Sequence, residues 1–240
     1  MSVEPQETPA SVLAIYAHPD DAEISSGGTL ARWAEAGAAV SLLVCTRGEK
    51  GSQDPAQDPD ELARIRVQET RAAARMLGLG VPVHFDYDDG QLKEARELKA
   101  RLVEQIRLLR PEVVVCPDPT AVFFGEWYFN HVDHRVVGWA ALDALAPMAG
   151  NPHYFPEQLR AGLDVHRVRA VYLSGTLEPN CWIDVTATVD RKIDALFCHA
   201  SQLVETGEWF RDFLRRRAEE AGAKIGVPYG EGFRRLTLIG

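Results

Sequence analysis

The 240-residue chain predicts an α/β fold, Rossmann-like, with a mostly parallel sheet flanked by helices. Three observations predict it. Short continuous apolar runs, the mark of strands buried on both faces, recur at residues 12–17, 40–45, 81–87, 113–116 and 171–173. Helix-period stretches separate them at residues 28–36, 60–77 and 92–109, which implies right-handed βαβ units. The composition, 46% hydrophobic and 25% charged, is that of a globular chain. At this length about 70% of the unfolded surface can be buried, so no disulfide or structural metal is needed to hold the core.

Each element has its own signal. Met1 to Ala10 carries two glutamates and no apolar pattern and is read as a flexible tail; residues 11–240 are read as one domain, because no repeat, low-complexity tract or linker divides them. Val12 to Ala17 stops at His18-Pro19, as a buried strand ends in a turn. The helix over residues 60–77 sets Leu62, Ile65, Ala72, Ala73, Met76 and Leu77 against Arg64, Gln68, Arg71 and Arg75. Further helices are expected over residues 131–145, 156–161, 188–200 and 208–221. Loops 47–59, 117–130 and 147–156 are longer than the scaffold requires. The first two follow the carboxyl ends of strands, where open α/β sheets place their ligands.

A formal charge of 26 − 35 = −9 argues against a protein built to neutralise nucleic-acid phosphates or anionic lipid. No stretch approaches the roughly 18 apolar residues of a membrane span, and the first residues lack the apolar core of a signal peptide. Cys45, Cys116, Cys181 and Cys198 are far apart and form no CxxC pair, which reads as reduced thiols in a cytoplasmic protein. The implied partner is a small molecule.

Two motifs carry candidate chemistry. His18-Pro19-Asp20-Asp21 falls where the first strand runs out. Taken alone it is ordinary turn and capping chemistry; taken as a site, it offers a divalent metal one imidazole and one carboxylate and leaves a second carboxylate free to act as a base. His131-Val132-Asp133-His134 opens a helix, and its i, i+3 spacing puts both imidazoles on one face. Two histidines and one carboxylate leave an open coordination position, the pattern of a catalytic zinc site.

With these motifs in place the chain resembles the LmbE-like, or PIG-L, deacetylases, zinc enzymes that remove acyl groups from N-acyl glucosamine units. The resemblance rests on Ala17-His18-Pro19-Asp20-Asp21 and His131-Val132-Asp133-His134, and on Cys45 to Gly51, Arg66 to Glu69, Asp89 to Leu92 and Lys192 to Gln202. It implies the LmbE-like fold and one Zn²⁺ per chain held by His18, Asp21 and His134. It further implies Asp20 as general base, His131 as donor to the oxyanion and Asp133 holding His131 in its protonated form, with zinc-bound water attacking the amide carbonyl. Arg66, Asp89 and Glu49 match positions that grip substrate. Two departures stand out. Ala22 pushes the final acid of AHPDDE on to Glu23, and Phe129 stands where some members place a tyrosine, with Tyr128 one residue away.

Three matters stay open at this level. A hydrolase of a non-sugar amide fits the same residues. So does a two-histidine, one-carboxylate iron(II) oxygenase, although those enzymes are commonly all-β. The aromatic run Phe123 to Phe129 suits a sugar-binding wall or the interface of a homo-oligomer equally well.

Overall fold

The computed structural model describes residues 7–203 and 207–238. Its main sheet has seven strands in the order β3-β2-β1-β4-β7-β9-β8: β1 (Ser11–Tyr16), β2 (Ala39–Thr46), β3 (Val83–Tyr87), β4 (Val113–Pro117), β7 (Ala170–Ser174), β8 (Cys181–Asp184) and β9 (Gly230–Thr237). The first five in that order are mutually parallel; β9 runs antiparallel to β7, and β8 antiparallel to β9. Two short strands, β5 (Phe123–Phe124) and β6 (Tyr128–Phe129), pair as a separate hairpin in the loop after β4. The alternating α/β order is not the all-β architecture that the oxygenase alternative calls for.

Side chains of β1 alternate between two cores. Val12, Ala14 and Tyr16 pack with Leu30 and Trp33 of α1 (Asp21–Glu35) and with Ala73 and Leu77 of α2 (Pro59–Leu77). Leu13 and Ile15 pack with Leu98, Leu102 and Ile106 of α3 (Arg96–Leu109) and with Val137 and Ala140 of α4 (Val132–Asp143). A strand buried on both faces needs the unbroken apolar run seen in the sequence. The remaining α-helices are α5 (Pro156–Arg160), α6 (Val189–Leu196), α7 (Ala200–Leu203) and α8 (Gly207–Ala223), and a π-helical turn, Ala144–Met148, follows α4. Leu214 and Ala218 of α8 close a smaller core against Val189, Ile193 and Leu196.

Several sequence expectations change. The first helix starts at Asp21, not Gly28, so Ser25-Ser26-Gly27-Gly28 is helical. A Cβ on Gly28 would lie 2.9 Å from Cβ of Val185 and 3.1 Å from Oε1 of Glu231, so close packing overrides glycine's poor helix propensity. The buried stripe of α2 runs through Leu62, Arg66, Thr70, Ala73 and Leu77, while Ile65 and Met76 are exposed. The stripe is thus rotated toward Arg66. The helix expected over residues 188–200 breaks into α6 and α7, and the sequence reading omitted β8, β9 and the hairpin. Of the expected tail, residues 1–6 lie outside the described residues. Pro9 is buried, and the Ala10 amide donates to Oε2 of Glu112 at 2.6 Å.

Candidate active site

The carboxyl end of β1 and the loop leading into α4 bring the two motifs together. After Tyr16 the chain turns at His18-Pro19-Asp20 into α1, and the His18 amide donates to Oδ2 of Asp21 at 2.8 Å. On the other side Asn130 is locked by two bonds: its amide N–H donates to the Val122 carbonyl at 2.7 Å and its Nδ2 to the Ala121 carbonyl at 3.0 Å. That leaves Oδ1 of Asn130 2.8 Å from Nδ1 of His134.

These contacts place a hydrogen on one nitrogen of each ring. Nδ1–H of His134 donates to Asn130, so its Nε2 carries a lone pair. Nε2 of His18 faces Oδ1 of Asp89 at 3.2 Å and Oδ2 of Asp133 at 3.3 Å, both acceptors, so a hydrogen stands on Nε2; burial lowers the ring's pKa, but Asp133, Asp21 and Asp89 outweigh it and hold it well above the usual imidazole value. The two remaining nitrogens, Nδ1 of His18 and Nε2 of His134, are 3.1 Å apart. Asp21 completes the group, with Oδ1 3.1 Å from Nε2 of His134 and Oδ2 3.4 Å from Nδ1 of His18. A tetrahedron with metal–ligand bonds near 2.0 Å has edges of roughly 3.3 Å, so the three donors are spaced as ligands of one ion. Burial raises the Asp21 pKa, but His134 and His18 outweigh it and hold the carboxyl well below its usual range.

A second trio, His18, His131 and Asp133, is also close. It fits a metal less well, because its donors are already engaged. Nδ1 of His131 accepts the Asp133 amide N–H at 3.2 Å, and the Asp133 carboxylate takes N–H groups from Gly90 at 2.6 Å and Leu92 at 3.2 Å.

Asp133 has shorter contacts than the one expected with His131. Its carboxylate, fully buried, orients His18 and ties down loop 90–92, whereas its Oδ2 is 4.0 Å from Nδ1 of His131. Burial, then the neighbouring His18, pushes the His131 pKa below the usual imidazole value. With Nδ1 accepting the Asp133 amide N–H, His131 presents Nε2 as its donor.

Asp20 sits beside the trio with φ +91°, and Oδ2 of Asp20 accepts from Nη2 of Arg66 at 3.0 Å. Burial pushes its pKa up to about 6 although Arg66 pulls it down. Of the residues expected to grip substrate, Arg66 is 3% exposed and bonded to protein acceptors. The Glu49 carboxylate accepts the Asp89 amide N–H at 3.1 Å from each oxygen and so sets the Asp89 loop. Asp89 and Arg66 both line the groove. That groove has a volume of about 230 Å³, and His18, Asp20, Tyr128, His131 and His134 also border it. Tyr128, not Phe129, is the aromatic residue at this wall. A larger cavity of about 880 Å³ shares Asp21, Tyr128 and His134 with it. His199 is buried behind Asp20, where Glu23 lies 3.5 Å away; burial lowers its pKa, but Glu23 more than offsets this. Asn130 escaped the sequence reading, its only signal being its place just before His131.

Fold and donor set define a class: an α/β protein with a two-histidine, one-carboxylate site at the carboxyl ends of parallel strands. The chain belongs to the PIG-L family, described as GlcNAc-PI de-N-acetylase, which matches residues 13–145. The diacetylchitobiose deacetylase of Thermococcus kodakarensis is 34% identical over 232 residues, covering 96% of this chain and 85% of that protein. The 1D-myo-inositol 2-acetamido-2-deoxy-alpha-D-glucopyranoside deacetylase of Thermobispora bispora is 29% identical, covering 92% of this chain and 93% of its own. Among solved structures, the N,N'-diacetylchitobiose deacetylase of Pyrococcus horikoshii with its inhibitor superposes with a TM-score of 0.88 at 33% identity, covering 95% of this chain and 84% of that one. The LmbE-like fold expected from the motifs is thus the observed fold.

Proposed function

We propose that this protein is a zinc-dependent amidohydrolase that removes the acyl group from an N-acyl amino sugar or its conjugate. The observation that carries the reading is the convergence of two imidazole nitrogens and one carboxylate, 3.1–3.4 Å apart, on a groove that also holds Asp20. His18, Asp21 and His134 would hold the ion. Bound there, zinc supplies Lewis acidity and lowers the pKa of water toward about 7. Iron(II) is accommodated by the same ligand types, so the metal is assigned on the family's behaviour and the near-tetrahedral spacing.

The chain's own residues do the rest. Asp20 takes the proton of the attacking water. The Nε2–H of His131 donates to the carbonyl oxygen as it gains negative charge. Asp133 holds the His18 ring through Nε2, which would leave Nδ1 to the ion. The nitrogen leaves as an amine only when protonated, and the proton that Asp20 has taken is the one it returns. Asp89, at the groove edge, accepts from a sugar hydroxyl, and Tyr128 forms the wall against the ring. The relatives named above act on 2-acetamido-2-deoxy sugars or on diacetylchitobiose, which supports an N-acetylated sugar as substrate class. A small metabolite as substrate suits a cytoplasmic enzyme, and among the described residues no helix is long and apolar enough to cross a membrane.

A panel of N-acetylated amino sugars and their conjugates, incubated with zinc-loaded protein and scored by free amine, tests this reading. Release from at least one sugar amide is expected. Release from non-sugar amides alone would move the substrate class, and none from any amide would refute the activity.

A further inference from the structure

The trio of His18, Asp21 and His134 borders two spaces of opposite character. One is the groove of about 230 Å³, where Asp20, Arg66, Asp89 and His131 supply ionisable walls. The other is the cavity of about 880 Å³, reached past Asp21, Tyr128 and His134. A space of that size matches sites that bury drug-sized ligands and far exceeds what the methyl of an acetyl group needs.

The cavity is apolar where it meets the trio. Ile24 follows Asp21 by one turn of α1, so the two side chains share a face of that helix. Phe124 pairs with Tyr128 across the β5–β6 hairpin, their rings 5.7 Å apart. From α8 come Phe210 and Phe213, stacked at 5.7 Å, which like Ile24 pack against Leu214 and Ile193. Buried polar groups that line the cavity are bonded within the protein: the Tyr16 hydroxyl to Oγ of Ser174 at 2.9 Å, and Nζ of Lys192 to Oε1 of Glu231 at 2.6 Å. The charged residues of α8 that border it, Arg217, Glu220 and Lys224, are exposed at its rim. Sugar hydroxyls buried here would meet groups already partnered, at a cost for each bond left unmade, whereas an alkyl chain would meet hydrocarbon.

An amide is planar, and in its trans form the two substituents lie on opposite sides of the C–N bond. With the carbonyl at the trio, one substituent enters the groove and the other the cavity. Sugar hydroxyls suit the groove, where an alkyl chain would strip water from charged groups and give nothing back.

We propose that the cavity takes the acyl half of the amide, so that the preferred substrates are amino sugars carrying an acyl chain of several carbons, longer than acetyl. The proposal rests on the reading of the site as a sugar amidohydrolase. One water is consumed, the C–N bond breaks, and a carboxylic acid and a free amine are released. Each methylene withdrawn from water is worth about 4-fold in binding, and that gain appears in kcat/KM.

The test uses N-acetylglucosamine, N-hexanoylglucosamine and the hexyl glycoside of N-acetylglucosamine, which carries its chain on the sugar side. Zinc-loaded wild type is compared with Ala221→Trp, which places a bulky side chain at the cavity wall on α8. Calorimetry with acetate and hexanoate, the acids released, supplies a readout that needs no turnover. The hexanoyl amide should exceed the acetyl amide in kcat/KM on the order of 10²-fold, and hexanoate should bind at least about 10-fold more tightly than acetate. The hexyl glycoside should stay within about 3-fold of its parent, and Ala221→Trp should shrink both hexanoyl gains at least about 10-fold. A hexanoyl amide no better than acetyl would overturn the proposal, as would a gain for the hexyl glycoside instead, or a hexanoyl gain that Ala221→Trp leaves intact. Failure of the wild type to hydrolyse any amide would refute the proposed function; the preference for hexanoate over acetate, and its loss in Ala221→Trp, would still decide whether the cavity takes an acyl chain.

Discussion

Nδ1 of His18 and Nε2 of His134 lie 3.1 Å apart, and the opposite nitrogen of each ring is committed to an oxygen acceptor: Asp89 and Asp133 for His18, Asn130 for His134. Two lone pairs set face to face repel each other unless a proton or a cation lies between them. The residues behind the rings, not the rings alone, therefore set the pair up to share a cation or a proton.

Removing the acceptor behind His134 should loosen the ion without touching a ligand. Asn130→Ala is expected to weaken zinc binding about 10- to 100-fold, read by titration against a competing chelator. Unchanged affinity would show that the Asn130 contact of 2.8 Å does not set the His134 tautomer.

Asp20 contributes no ligand atom to the trio. Asp20→Asn should keep one metal per chain and lose roughly 10²–10⁴-fold in kcat, the usual contribution of a general base. Metal analysis and steady-state kinetics on the same preparation check both halves, and a variant as fast as wild type would remove Asp20 from the mechanism.

Away from the site, Nζ of Lys192 is 2.6 Å from Oε1 of Glu231, and both side chains are buried. Glu231 also accepts the backbone N–H groups of Gly28 at 3.0 Å and Thr29 at 2.8 Å, which ties β9 to α1. Lys192→Met strands the carboxylate and should cost about 3–5 kcal/mol in denaturant unfolding. A loss under about 1 kcal/mol would mean the carboxylate finds other partners.

His84, half-buried on β3, has its pKa pushed down to about 4, by burial first and by Arg71 second. Unfolded, it titrates near 6.5. Between those values the unfolded chain binds the extra proton, so this group's contribution to stability is complete above pH 6.5 and is lost as pH falls toward 4. His84→Gln should flatten the acid side of the stability curve over that window relative to wild type. Parallel curves would show that His84 is as easily protonated in the folded protein as in the unfolded one.

Much of this was legible in the sequence for physical reasons. A strand buried on both faces must be apolar at every position, so Val12 to Ala17 announced both the central strand and the turn at His18. Local spacing likewise put His131 and His134 on one face. What escaped depends on distant partners. Ser25 to Gly28 looks like a loop until Val185 and Glu231 are seen to need that closeness. Ile65 looks like core until Arg66 is seen turning inward to Gly48, Pro19 and Asp20. Asp133 sits two residues from His131, yet its carboxylate reaches His18, more than a hundred positions away. Strand β9, with Arg234 and Arg235 in its middle, carries no continuous apolar run and depends on pairing with β7 and β8.

The account stands most directly on one titration. Zinc is added stepwise to metal-stripped protein while free amine is measured with an N-acetylated amino sugar present, for wild type and for His134→Ala. Wild-type release should climb with zinc and level off at one ion per chain, and the variant should neither bind tightly nor turn over. Equal amine release from the stripped protein, or from His134→Ala at the same zinc concentration, would contradict a hydrolytic metal centre at His18, Asp21 and His134.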